Sequence, residues 1–196
     1  MIFLPIILIL IVAGYLVSVY NSLQTTKTRI KASIQEIGNQ LKRQTDLIPN
    51  LIESVKGYMK HEKDIFDKLT EARKSVAGAL ESGQAQKLVD ASQKLQTALG
   101  PIRAVFESTP QLQAAGPTGQ LMSELTDTAD KVMYSRRTLI DLTADYNIKI
   151  VTFPSNFVAN MFGFKAEPGL MLPEEESEAL EVSKEDLTTP KVDLEK

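Results

Sequence analysis

The chain has 196 residues, with 22 Lys+Arg, 25 Asp+Glu, one His and neither Cys nor Trp, a length that suits one domain of moderate size. Without cysteine there is no disulfide framework, thiolate nucleophile, lipid-modified cysteine or Cys-based zinc site, and a single imidazole leaves no His-rich metal centre. The net charge of −3 hides an asymmetry, because residues 165–196 hold 4 basic and 10 acidic side chains while the rest of the chain is mildly basic.

From Ile2 to Tyr20 no side chain is charged, and Ile2 to Val19 is almost wholly apolar. At about 1.5 Å per residue, a helix of this length just crosses a hydrocarbon core of roughly 30 Å. The run therefore predicts a transmembrane anchor over residues 1–20. A cleaved signal peptide would need a basic leading segment, a shorter apolar core and a small-x-small cleavage site. No Lys or Arg precedes the run, and Val12-Ala13-Gly14 is followed by Tyr15 where a lipoprotein signal needs cysteine. Lys27, Arg29 and Lys31 form a basic cluster on the C-terminal flank. Positive flanks stay on the cytoplasmic side, so the expectation is a single-pass cell-membrane protein with its N-terminus outside and its body in the cytoplasm. The same three cations suit anionic lipid headgroups, at about 1 kcal/mol each.

After Tyr20 the apolar residues advance in steps of three and four: Leu23, Ile30, Ile34, Ile37, Leu41, Ile48, Ile52, Val55, Met59, Phe66, Leu69, Val76 and Leu80. This spacing predicts a long helix with one buried seam, of the kind found in coiled coils and bundles. Two successive steps of four, at 37, 41 and 45, read as a stutter. Pro49 lacks an N–H and crowds the preceding turn, so a bend or short break is expected near Asp46, whose carboxylate would cap the segment that follows. Asp46, Pro49 and Asn50 are thus read as a helix-break motif. Glu81-Ser82-Gly83 supplies a turn.

A second helical stretch, about 84–108, carries Leu88, Leu95, Leu99, Ile102 and Phe106, with a kink expected at Gly100-Pro101. A third, about 118–152, carries Leu121, Leu125, Val132, Leu139, Leu142, Tyr146 and Ile150. Pro154-Ser155 breaks or caps ahead of a short helix over about 155–163. No segment alternates with period two. The expected fold is all-α: the membrane helix, then over residues 21–164 an antiparallel bundle of three long helices plus a short fourth, then a flexible acidic tail over 165–196.

Few residues invite chemistry. His61-Glu62 lacks the second His of a zinc-binding H-E-x-x-H helix, and His61 reads as a polar contact. Glu174-Glu175-Glu176 lacks the glycine turn of a calcium loop and reads as a solvated charge run. No metal or cofactor is expected. Phe153, Phe157, Phe162 and Phe164 are four of the seven Phe residues. They are expected to close the end of the bundle. The competing reading makes Phe157, Met161, Phe162 and Phe164 a contact surface, an amphipathic foot for the membrane interface or a partner groove.

Several strings carry a family resemblance. They are Tyr20-Asn21-Ser22-Leu23, Gln40-Leu41-Lys42-Arg43, Asp46-Leu47-Ile48-Pro49-Asn50-Leu51, Val55-Lys56-Gly57-Tyr58, His61-Glu62, Thr70-Glu71-Ala72-Arg73, Tyr146-Asn147, and Phe153-Pro154 through Phe162-Gly163-Phe164. Together they resemble the LemA family over about residues 1–165. The resemblance implies a bacterial single-pass membrane protein with a helical-bundle soluble part, an outward N-terminus and no catalytic residue.

No nucleophile–base pair, metal cluster or Gly-rich phosphate loop is present, and aromatics make up 6% of the chain, so neither an enzyme nor a nucleic-acid partner is expected. The leading expectation is a membrane-anchored scaffold or interaction protein that self-assembles. The alternative is an adaptor or regulatory subunit of a membrane enzyme such as a protease. The expected partners are the lipid bilayer, further copies of the chain and a membrane protein.

Overall fold

The seam of apolar residues becomes the core of an antiparallel helical bundle in the computed structural model, which describes residues 3–59, 62–114 and 116–171. The described elements are α1 (Phe3–Val55), α2 (Glu62–Ser82), α3 (Ala85–Ser108), α4 (Pro110–Ala114), α5 (Gly116–Val151) and α6 (Ser155–Met161), with one 3-10 turn, Lys56–Tyr58, after α1. Among the described residues there is no strand. The all-α antiparallel bundle expected from the periodicity is the fold of this chain.

Chain direction follows from a few contacts. Arg43 Nη2 lies 3.4 Å from the Glu124 carboxylate, and Lys149 Nζ donates to Ser22 Oγ at 3.2 Å, so α5 runs antiparallel to α1 along much of its length. A Cβ added to Gly38, midway up α1, would meet Leu80 Cδ2 at 3.2 Å, so the far end of α2 has returned to that level. Gly83, at φ +61°, then reverses the chain into α3, its positive φ being the conformation that a residue without Cβ adopts freely. The Gly83 N–H donates to the Ala79 carbonyl at 3.2 Å, closing the end of α2. The result is an up-down-up-down arrangement of α1, α2, α3 and α5.

The pairing of α1 with α5 rests on matched periods. In α1, Leu23, Ile30, Ile37, Gln44 and Leu51 are buried at seven-residue intervals; in α5, so are Thr118, Leu125, Val132, Leu139 and Tyr146. A seven-residue period keeps two helices in contact over many turns. The α1 seam also buries Leu41, Ile48 and Val55. The steps 37, 41, 44, 48, 51 and 55 are therefore regular, and Gln44, not Thr45, fills the interior position. The stutter expected at Thr45 is absent because a glutamine stands in the apolar register. Small hydroxyl residues escaped the seam for a related reason. Thr26, Thr128, Ser135 and Thr143 are buried; Thr26 Oγ1 donates to the Ser22 carbonyl and Thr128 Oγ1 to the Glu124 carbonyl, at 3.0 and 2.9 Å. A hydroxyl satisfied by its own helix can be buried at little cost.

The break expected near Asp46 is corrected: α1 passes through Pro49 without interruption, and the first break comes at Lys56–Tyr58. Asp46, Pro49 and Asn50 all lie on the exposed side, and Pro49 leaves the Thr45 carbonyl without its helical partner. An interior proline costs about 3 kcal/mol. Fully buried Ile48 and Leu51 flank it, and two such side chains contribute about 1.5–3 kcal/mol each, enough to hold the helix together. Asp46 consequently has no free helix start to cap. Pro101 likewise lies exposed inside a continuous α3.

Gln44 is fully buried, and its amide nitrogen has no hydrogen-bond partner among the described residues. Its oxygen accepts from Gln96 Nε2 at 3.5 Å, and Gln96 Oε1 in turn accepts from Arg103 at 2.8 Å. A buried amide left half satisfied costs more than it returns. Replacing Gln44→Leu is expected to stabilise the bundle by about 1 kcal/mol, a rise in Tm of roughly 2–4 °C for a chain of this size. Thermal unfolding in detergent measures this, and a lowered Tm would show that the Gln44–Gln96 contact outweighs the burial of the amide.

Candidate functional site

The end of the bundle nearest Tyr20 brings together residues from α1, α5, α6 and the segment that follows. Helix α5 ends at Val151, leaving carbonyls without helical partners. The Ser155 hydroxyl answers one of them: its single proton is shared between the Lys149 carbonyl at 2.6 Å and the Thr152 carbonyl, just past the helix, at 2.9 Å. Ser155 thus closes the end of α5, and Pro154 at the start of α6 provides no side-chain cap.

Helix α6 stops at a glycine turn. Gly163 has φ +69°, the Phe164 N–H donates to the Ala159 carbonyl at 2.9 Å, and the Gly163 N–H donates to the Asn160 carbonyl at 3.3 Å. This paired arrangement requires the left-handed conformation that glycine adopts without a Cβ clash. It swings Phe164 back towards α1. The Tyr20 ring then lies 4.8 Å from the Phe162 ring and 5.6 Å from the Phe164 ring, both tilted, while Phe153 meets Phe157 edge-on at 5.9 Å.

The expectation that the Phe cluster closes the bundle is corrected by exposure. Phe153, Phe157, Met161 and Phe162 are 73%, 65%, 61% and 52% exposed. Val158 and Ala159 are fully buried in their place, and Phe164 is half-buried against the core. A helix as short as α6 has one inward face, and its smaller residues occupy it. Phe157 and Met161, four positions apart, share the other face.

Beyond Gly163 the chain returns along the bundle as a strap. The Asn147 side chain grips the Glu167 backbone in both directions: Nδ2 donates to the Glu167 carbonyl and Oδ1 accepts from the Glu167 N–H, each at 2.9 Å. Lys27 Nζ is 3.3 Å from the Glu167 carboxylate. Further along, the Met171 N–H donates to Gln86 Oε1 at 2.9 Å. Of the basic cluster, Lys27 is therefore engaged by the strap, while Arg29 and Lys31 stay exposed. Residues 165–171, expected to be the start of a flexible tail, are held on the bundle. The rest of that tail, with Glu174, Glu175 and Glu176, lies outside the described residues, as does His61.

Sequence reasoning did not foresee the roles of Asn147, Glu167 or Lys149, whereas the apolar spacing places Tyr146 on the buried seam of α5. Tyr146 is fully buried, and its hydroxyl has no hydrogen-bond partner among the described residues. Burial pushes the phenol above its ordinary value of 10.0; Lys27 opposes the shift and Glu167 adds to it. At a distance from this end, a groove of about 710 Å³ opens between α2 and α3, lined by Ile65, Lys68, Asp90, Lys94 and Pro101, with Met171 among its lining residues.

The model of the LemA family matches residues 33–183. The chain belongs to the LemA family. It is also similar to Magnetosome protein MamQ of Magnetospirillum gryphiswaldense, with 24% identity over 169 residues. Magnetosome proteins MamQ 1 and MamQ 2 of Paramagnetospirillum magneticum are each 25% identical over 169 residues. In all three the match spans 74% of this chain and 62% of the relative, so the chain covers less than two thirds of their length. The geometry now accounts for three of the strings that carry the LemA resemblance. Tyr20 receives the aromatic rings, Asn147 beside Tyr146 clamps the strap, and Phe162-Gly163-Phe164 makes the turn between them.

Two outcomes follow for this LemA-family chain. Asn147→Ala removes both hydrogen bonds to Glu167, about 0.5–1.5 kcal/mol each; because the strap opens locally without unfolding the bundle, the loss is expected to speed proteolysis within residues 164–171 with little change in Tm. Unchanged cleavage would mean that Lys27 and Gln86 hold the strap alone. For Tyr146, the folded phenol keeps its proton more tightly than the unfolded one, so its contribution to stability is intact below pH 10.0 and is lost as pH rises through the higher folded value. Tyr146→Phe removes a buried hydroxyl without a partner, so it should be more stable than the wild type by about 1 kcal/mol at neutral pH and lose less stability above pH 10.0. Denaturation across that range tests both parts.

Proposed function

We propose that this chain is a single-pass, membrane-anchored interaction protein whose bundle stands on the cytoplasmic side and assembles with further copies. The observation that carries the reading is the continuity of α1, one helix from the exposed apolar residues at Phe3 to the core residue Val55. Anchor and bundle are therefore one mechanical element. The stretch Phe3 to Tyr20 would rise about 27 Å, is long and apolar enough to cross a membrane, and is almost entirely without protein cover. Each Ile or Leu left in water would forgo about 1.5–3 kcal/mol, a loss that lipid removes.

The basic flank of Lys27, Arg29 and Lys31 supports an outward N-terminus. LemA membership and the likeness to proteins named as magnetosome proteins support a membrane setting. The bundle's long helical faces support work done through surfaces rather than catalysis, with self-assembly as the use that needs no further component.

Mass measurement of the detergent-solubilised protein, with identification of every chain in it, tests the assembly. The expected result is a multiple of the 21.7 kDa protomer containing this chain alone. A monomer overturns self-assembly, and a stoichiometric second protein replaces it with the adaptor reading. Protease added to intact cells should spare the tail beyond Met171 and cut it after lysis; cutting in intact cells overturns the orientation.

A further inference from the structure

From the aromatic end of the bundle we infer a second attachment to the membrane: α6 lies in the boundary between headgroups and acyl chains of the bilayer that α1 enters, with Phe153, Phe157 and Met161 immersed in it. The inference rests on the reading that α1 spans that bilayer.

Three observations converge on a lipid surface as the occupant. The first is level. Lys149 Nζ reaches Ser22 Oγ at 3.2 Å, and Phe162 and Phe164 pack on Tyr20, so the end of α5 and the turn that closes α6 sit at the last residues of the apolar run. With about 27 Å of helix between Phe3 and Tyr20 and a hydrocarbon core of roughly 30 Å, the Tyr20 level is the interface itself. Exposed Phe162, in ring contact with exposed Tyr20, joins this end of the bundle to the surface of the anchor.

The second is composition. From Ile150 to Phe164 no side chain is charged, and Lys149 and Lys165 bracket the stretch. An apolar surface rimmed by cations matches the acyl boundary beneath anionic headgroups, where each Lys near the surface contributes about 1 kcal/mol. The third is exposure. Ile148, Val151, Phe153, Phe157, Met161 and Phe162 are all exposed, a concentration of large apolar side chains that marks an interaction surface. Short α6 is held in place by Val158 and Ala159 inside and by the Gly163 turn, so its outward face is presented on a fixed base.

Two attachments at one end constrain the bundle. A single helix can tilt and rotate in lipid, whereas a helix and a sideways foot set the direction in which the bundle leaves the membrane. The exposed cations Arg29 and Lys31 stand about 13 and 16 Å beyond Tyr20 along α1.

The absence of Trp from the chain makes single-Trp variants clean reporters of depth. The full chain is reconstituted in phosphatidylcholine/phosphatidylglycerol vesicles with and without brominated acyl chains, carrying one of Phe157→Trp, Met161→Trp, Leu10→Trp in the anchor or Tyr134→Trp on the exposed middle of α5. The expected result is that Phe157→Trp, Met161→Trp and Leu10→Trp lose most of their fluorescence to the brominated lipid, while Tyr134→Trp is unaffected and is quenched by aqueous iodide. If Leu10→Trp is quenched by lipid but both α6 reporters behave like Tyr134→Trp, the foot is overturned and the anchor stands. If the α6 reporters are shielded from lipid and iodide alike, a protein surface covers them and the lipid assignment is overturned. If Leu10→Trp escapes the brominated lipid, the spanning reading and the foot fall together.

Discussion

Everything in this molecule hangs on the contact between α1 and α5. Their buried residues repeat at the same seven-residue interval, Leu23 to Leu51 on one helix and Thr118 to Tyr146 on the other, and matched periods let two long helices stay in register along their shared length. That seam makes α1 a single element running through an exposed proline. It also delivers the end of α5 to the foot of α1, where Lys149 meets Ser22. The α2–α3 hairpin packs against this pair and completes the core, with Leu80 against Gly38 and Gln96 against Gln44.

The same geometry gives the lower end of the bundle its character. Because α5 descends to the level of Tyr20, the short α6 beyond it has nowhere to bury a second apolar face. Val158 and Ala159 go inward, and the Phe and Met side chains remain outside. The Gly163 turn then sends the chain back up, where Asn147 holds Glu167 and Glu167 meets Lys27. One cation of the basic cluster is thereby bound within the fold, and the cluster's remaining outward charge is carried by Arg29 and Lys31.

Much of the bundle was legible in advance because burial follows apolar spacing, and Leu23, Ile30, Ile37, Leu41, Ile48 and Val55 lie inside as their spacing required. Misreadings arose where local chemistry and packing disagree. Pro49 signals a break by its own stereochemistry, yet its buried neighbours Ile48 and Leu51 outweigh it. Gln44, Thr128 and Ser135 look like surface residues by polarity, yet they fill interior positions of the seam, and the Thr128 hydroxyl finds a carbonyl on its own helix. At the candidate site the Phe residues were visible, but their direction was not. The Asn147 clamp joins residues 20 positions apart through a backbone that no periodicity describes.

Composition and regular spacing along the chain were enough for the class of fold, the uncharged N-terminal run, the family through strings such as Asp46–Leu51 and Phe162–Phe164, and most of the apolar core. Tertiary structure alone decided that α1 is unbroken to Val55, that Phe157 and Met161 face outward, and that Lys27 is taken up by Glu167. Those outcomes depend on which of two competing neighbours wins a place at the interface between helices. That competition is settled by distance in space, which a linear pattern does not contain.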